Sequence, residues 1–106
     1  MSRANALFDL EGLAANIETL AAAKTLNSGS APIQSLDPGG AARTVTLPEA
    51  SNTHQRLFFI ANTADAAEII TIADADANTI CTPTQDEVAI CWSDGTNWHG
   101  IAGAES

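Results

Sequence analysis

Apolar and polar positions alternate along most of this chain in short bursts, and glycine, proline, aspartate and asparagine separate the bursts. Ile33 to Leu36 runs into Asp37-Pro38-Gly39-Gly40, a strong turn signal. Arg43 to Leu47 sets Val45 and Leu47 against Thr44 and Thr46, then stops at Pro48. Arg56 to Asn62 carries the unbroken apolar run Leu57-Phe58-Phe59-Ile60, the mark of a strand buried on both faces. Glu68 to Ala73, Thr79 to Thr82, Glu87 to Trp92 and Asn97 to Ala102 complete a series of seven short strand-like segments. Their regular spacing, with turn residues between them, predicts a mainly β fold: a small antiparallel β-sandwich or barrel-like domain. Val45, Leu47, Phe58, Ile60, Ile90, Trp92 and Trp98 are the expected core.

The N-terminal stretch reads differently. Leu10, Leu13, Ile17 and Leu20 follow a 3-4-3 spacing, Ala6 and Lys24 continue the phase, and alanine fills much of the rest. That pattern predicts a helix over residues 5–26, with Asp9, Glu11 and Glu18 toward its start and Lys24 toward its end, as a helix dipole favours. Gly12 weakens the pattern. Such a seam is too short to stand alone, so it must pack on its own domain or on another subunit. Asn27 to Pro32 is a breaker cluster. The expected organisation is a helical arm at 1–30, a β domain at 31–102 and a loose tail at 103–106.

Ser93-Asp94-Gly95 marks a hairpin between the last two strands. A two-residue loop would set Trp98 opposite Cys91. A three-residue loop with left-handed Gly95 would set it opposite Ile90, on the face that carries Trp92. A one-residue slip exchanges the faces, so the register that gathers the apolar residues, with both tryptophans in the core, is the expected one.

At 106 residues the chain is one domain, able to bury roughly two thirds of its unfolded surface. Four basic residues (Arg3, Lys24, Arg43, Arg56) face thirteen acidic ones, for a formal charge of −9. Phosphate backbones and anionic lipid would repel such a chain, which argues against nucleic-acid and membrane-surface partners. No apolar run approaches the ~20 residues of a membrane span, and no signal-peptide pattern opens the sequence. Synthesis in a cytoplasm is the expectation.

Residues able to support chemistry are few and scattered. Cys81 and Cys91 lack a CxxC spacing and a local histidine, so two buried free thiols, a disulfide or, least of all, a zinc site are the alternatives. Asp74-Ala75-Asp76-Ala77-Asn78 has the oxygen spacing that opens a calcium loop, but Thr79 and Gln85 stand where that loop needs glycine and glutamate. A turn with exposed carboxylates explains it. His54 lies in a polar loop. The expected hairpin register leaves Cys91 and His99 in different cross-strand pairs, which disfavours a dyad. Gly39-Gly40 leads into a strand rather than a helix, so it cradles no phosphate. These residues point away from an enzyme, and no cofactor or metal is implied.

Three pieces of the chain, taken in order, suggest a family. They are Leu36-Asp37-Pro38-Gly39-Gly40 leading into Arg43-Thr44-Val45-Thr46-Leu47-Pro48, the run Arg56-Leu57-Phe58-Phe59-Ile60, and the closing Ser93-Asp94-Gly95-Thr96-Asn97-Trp98. Together the block from Ile33 to Ile101 resembles small β-rich modules of tailed-bacteriophage virions, found in capsid decoration proteins and in head or tail fibres. The resemblance implies a structural virion protein that decorates and stabilises a capsid. It also implies a homotrimer bound to the major capsid protein at the capsid surface, without cofactor or turnover. A fibre or spike module that binds a host receptor or glycan is the alternative. Fibre proteins are usually long, and a small β domain behind an apolar arm suits a decoration or cement protein better. Leu7, Phe8, Leu10, Leu13, Ile17 and Leu20 would then form the assembly interface, with the acidic β domain facing water.

Overall fold

The computed structural model describes residues 14–52 and 56–104. Among them are nine strands: β1 (Ala15–Thr19), β2 (Lys24–Thr25), β3 (Ile33–Asp37), β4 (Arg43–Thr46), β5 (Leu57–Asn62), β6 (Ile70–Ala73), β7 (Thr79–Cys81), β8 (Glu87–Ser93) and β9 (Trp98–Ala104). They form two sheets, one of five strands in the order β1-β3-β5-β8-β9 and one of four in the order β2-β4-β6-β7. The fold is mainly β, and each of the seven strand-like segments from Ile33 onward contains a strand.

Two expectations are corrected. The first is strand direction, because both sheets are mixed. Up to β6 the chain crosses to the other sheet after every strand, so strands of each sheet stack in parallel: β1 on β3 on β5, and β2 on β4 on β6. From β7 the pairing turns antiparallel, β7 on β6, β8 on β5 and β9 on β8. Alternation within a strand records which face is buried and carries no information about the direction of its neighbour.

The second is the helical arm. Residues 15–19 and 24–25 are strands, one at the edge of each sheet, and residues 1–13 lie outside the described part. Ile17 and Leu20 share a helical face by spacing, yet Ile17 is 82% exposed while Leu20 is 3% exposed. In an extended backbone an odd separation sends side chains to opposite sides. Helix propensity is outweighed by backbone pairing with a distant partner: Ala15 to Thr19 lies in register on Ile33 to Asp37. Beyond β1, Leu20 N–H donates to Asp37 O at 2.7 Å, and beyond β2, Leu26 N–H donates to Thr46 O at 2.8 Å. Both leucines enter the core from these ladder extensions.

The two sheets enclose one core of Leu36, Phe58, Ile60, Ala89, Cys91 and Trp98 from one side and Val45, Leu47, Ile70 and Ile72 from the other. At the β3–β4 turn, Gly39 is left-handed (φ 78°), and a Cβ there would lie 2.3 Å from the Leu20 carbonyl oxygen. Glycine is therefore required by both conformation and space. Of the three buried polar side chains among the described residues, Ser93 donates to Ala50 O and the other two are amides. The Gln34 side chain donates to Ala31 O and accepts from Asn16. Asn62 donates to Glu68 O and Pro83 O and accepts from Ala64 N–H, which fixes the β5–β6 connection.

Candidate interaction surface

The five-stranded sheet is apolar on both faces. On its inner face β8 places Ala89, Cys91 and Ser93, all buried, so Val88, Ile90 and Trp92 point outward. The registers carry this across the sheet. Ile33 pairs with Phe59, Phe59 with Ile90 and Ile90 with Ile101, one apolar row over four strands. Beside it Leu57 pairs with Trp92 and Trp92 with His99, while Ile17 projects from the β1 edge on the same side. Leu57, Ile90, Trp92 and Ile101 are all 36% or more exposed. Five strands about 4.8 Å apart and about five residues long span roughly 400 Å², within the range of exposed patches that are commonly functional. On the strands of this face the titratable side chains are Asp37, at the end of β3 beside Asp65 and Glu68, and His99, which the Asp94 carboxylate of the hairpin loop reaches; the apolar row between them carries no charge.

The hairpin that feeds the face differs from its expected register. Ser93 pairs with Trp98 and Trp92 with His99, around the four-residue loop Asp94-Gly95-Thr96-Asn97. Asp94 sets the loop length: its Oδ1 accepts the Thr96 and Asn97 N–H groups, each at 2.8 Å. Gly95 is left-handed, φ 94°, and its N–H donates to Ser93 Oγ. Trp98 enters the core, where small Ala89, Cys91 and Ser93 leave room, and its Nε1–H donates to Pro48 O at 2.7 Å. Its ring centroid lies 5.9 Å from that of Phe58.

Trp92 and Ile90 are consequently on the open face, correcting their assignment to the core. Val45, Leu47, Phe58, Ile60 and Trp98 are buried. Trp92 stacks on His99 with centroids 5.3 Å apart, and His99 Nε2 lies 3.0 Å from Asp94 Oδ2. Hydrogen bonds from Asn97 N–H, His99 and Thr96 N–H hold the Asp94 carboxyl well below the usual carboxylate range.

Of the residues expected to form an assembly interface, Ile17 lies on this face and Leu20 in the core, and Leu7, Phe8, Leu10 and Leu13 fall outside the described residues. The residues that sequence reasoning missed are Ile33, Phe59, Ile90, Trp92 and Ile101. Their signal was present: Leu57 to Ile60 and Val88 to Trp92 are apolar at both odd and even positions, so neither face of β5 or β8 is polar.

The chemistry-bearing groups serve the fold. Cys91 faces the core opposite Gly100, while His99 points outward, so the two form no dyad; His54 is outside the described residues. Asp74 Oδ1 accepts Asp76 and Asn78 N–H, closing the β6–β7 turn. Its carboxyl is opposed by slight burial, yet the bonds from Asn78 and Asp76 keep it below the ordinary range. A cleft of about 160 Å³ lies between this turn, Glu49 and Asn97, below the ~300 Å³ at which ligand pockets begin. Carboxylate oxygens of Asp37, Asp65 and Glu68 come within 4.8 Å of one another, a donor set of the hard type that suits calcium. Two of these residues already accept backbone N–H groups, Asp37 from Gly39 and Glu68 from Gly40.

Three of the basic residues are likewise committed within the chain. Lys24 pairs with Glu18 at 3.0 Å, Arg43 donates to Pro38 O, and Arg56 donates to Ser28 and Ser30 carbonyls while lying over the Phe58 ring. Among the described residues, no helix is long and apolar enough to cross a membrane. No protein-family model matches the chain, and no curated protein or solved structure matches it either.

Proposed function

We propose that this protein is a non-catalytic structural subunit of a virion, a decoration or cement protein that adds to the capsid of a tailed bacteriophage. Copies of the chain associate through the outer face of the five-stranded sheet, as a homotrimer. The observation that carries the reading is the in-register row Ile33, Phe59, Ile90 and Ile101, which no segment described here covers. A second copy is the occupant that charge favours. Two chains of formal charge −9 repel over most of their surfaces, and the uncharged row at the middle of this face is where they can approach. At about 25 cal/mol per Å², covering such a face would contribute several kcal/mol per contact, and a closed ring gives every copy the same contact. The apolar positions Leu7, Phe8, Leu10 and Leu13 supply the contact with the major capsid protein.

The test is co-sedimentation of purified protein with capsids that lack it, followed by heating. Saturable binding that raises the temperature of particle disruption supports the reading. Binding to bacterial surfaces or glycans, with capsids ignored, would replace it with the fibre or spike alternative.

A further inference from the structure

Cys81 ends β7 in the four-stranded sheet, and Cys91 lies on the inner face of β8 in the five-stranded sheet. Their sulfurs are 3.9 Å apart, although both are free thiols. The space they share is kept open by Gly100, which pairs with Cys91. A Cβ at Gly100 would stand 3.3 Å from each sulfur and 2.8 Å from Ile80 Cγ2. A disulfide needs the sulfurs to close to ~2.05 Å, and Cys81 is the less buried of the two. Cys81 belongs to a three-residue edge strand, whereas Cys91 is held between β5 and β9, so Cys81 is the one a reagent reaches first.

We infer that Cys81 and Cys91 form a latent disulfide that ties the two sheets together when a hydroperoxide oxidises the pair. The Cys81 thiolate attacks a peroxide oxygen. The O–O bond breaks, an alkoxide or hydroxide leaves and takes up a proton, and Cys81 becomes a sulfenic acid. The Cys91 sulfur then attacks the Cys81 sulfur; the S–S bond forms, and the departing hydroxide takes the Cys91 proton as water. Two thiols lose two electrons, and the peroxide gains them. The order follows from the environment. A hydrogen bond from Cys91 lowers the Cys81 thiol below its ordinary range, whereas the Cys81 sulfur and burial push Cys91 up. This inference stands apart from the virion reading, because it concerns how the two sheets are joined rather than what they bind.

Full-length protein, treated with hydrogen peroxide, quenched, denatured and alkylated with iodoacetamide, gives a direct reading by intact mass. The chain has two cysteines, so any intramolecular disulfide is this one. The expected product has lost two hydrogens, takes no alkyl group, and migrates as a single chain on a denaturing gel without reductant. Dithiothreitol restores two alkylation sites. Closure is expected to be several-fold faster in the native protein than in urea, and independent of protein concentration. The Cys81→Ser chain, treated alike, is expected to retain an alkylatable Cys91. Closure no faster in the native state than in urea would overturn the inference. So would accumulation of Cys81 sulfonic acid, or disulfides formed only between chains.

Discussion

The inner and outer faces of the five-stranded sheet are made from the same strands and have similar apolar content, yet they meet different surroundings. Phe58 and Ile60 point inward and are fully buried beneath the second sheet. Phe59 and Ile90, one residue out of phase with the inner face, sit on the face that nothing described here covers. The inner face is complementary to a second sheet of the same chain; the outer face is an apolar surface without such a cover. Apolar periodicity reports demand for burial and leaves open whether the chain or a partner supplies it.

The sharpest way to separate the faces is to shorten adjacent phenylalanines. Phe58→Ala is expected to cost about 3–5 kcal/mol, because it opens a cavity beside Trp98. Phe59→Ala should cost the isolated chain much less, since its site is partly open to water. Urea denaturation of both variants, under conditions where the protein is monomeric, checks this. Equal losses would mean that the outer face is as tightly packed as the core.

Asn62 gives the next largest effect. Asn62→Ala leaves the Glu68 carbonyl and the Ala64 N–H without their partner, while Pro83 O keeps the Ile70 N–H, and about 2–3 kcal/mol is expected from the stranded groups. Hydrogen exchange should show faster opening at Ala64 than at Phe58. Trp98→Phe keeps most of the inner packing but strands Pro48 O, for a loss of about 1–2 kcal/mol in the same denaturation experiment.

The smallest effect lies on the hairpin that presents Trp92. Asp94 has a folded-state pKa below its unfolded value. Its contribution is therefore complete above the ordinary aspartate value of about 3.9, and is lost as pH falls through the lower folded value. Asp94→Ala should loosen the loop at neutral pH and flatten the acid-induced change in Trp92 fluorescence. An unchanged acid profile would exclude Asp94 as its source.

Much of this was legible in the sequence. The turn at Asp37 to Gly40, the alternation around Val45 and the left-handed Gly95 all act locally, and local rules located them. What stayed hidden depended on partners far along the chain. Residues 15–19 have helical spacing and good helix formers, and become a strand because Ile33 to Asp37 supplies a parallel edge. The hairpin register turned on Asp94, whose side chain accepts two N–H groups and so closes a four-residue loop. Gathering apolar side chains was the wrong criterion there, because β8 is apolar on both sides. The expected interface suffered from the same limit. Its spacing placed Ile17 and Leu20 together, and the strand geometry separates them.

Sedimentation velocity across a range of concentrations, on the natural chain and on Ile90→Glu, reads out association through the outer face. Ile90 lies mid-row on the outer face and is 36% exposed, so a carboxylate there leaves the inner core untouched. A trimer is expected for the natural chain and a folded monomer, with unchanged circular dichroism, for the variant. A natural chain that remains monomeric at every concentration, or a variant that still forms the same oligomer, would contradict association through that face.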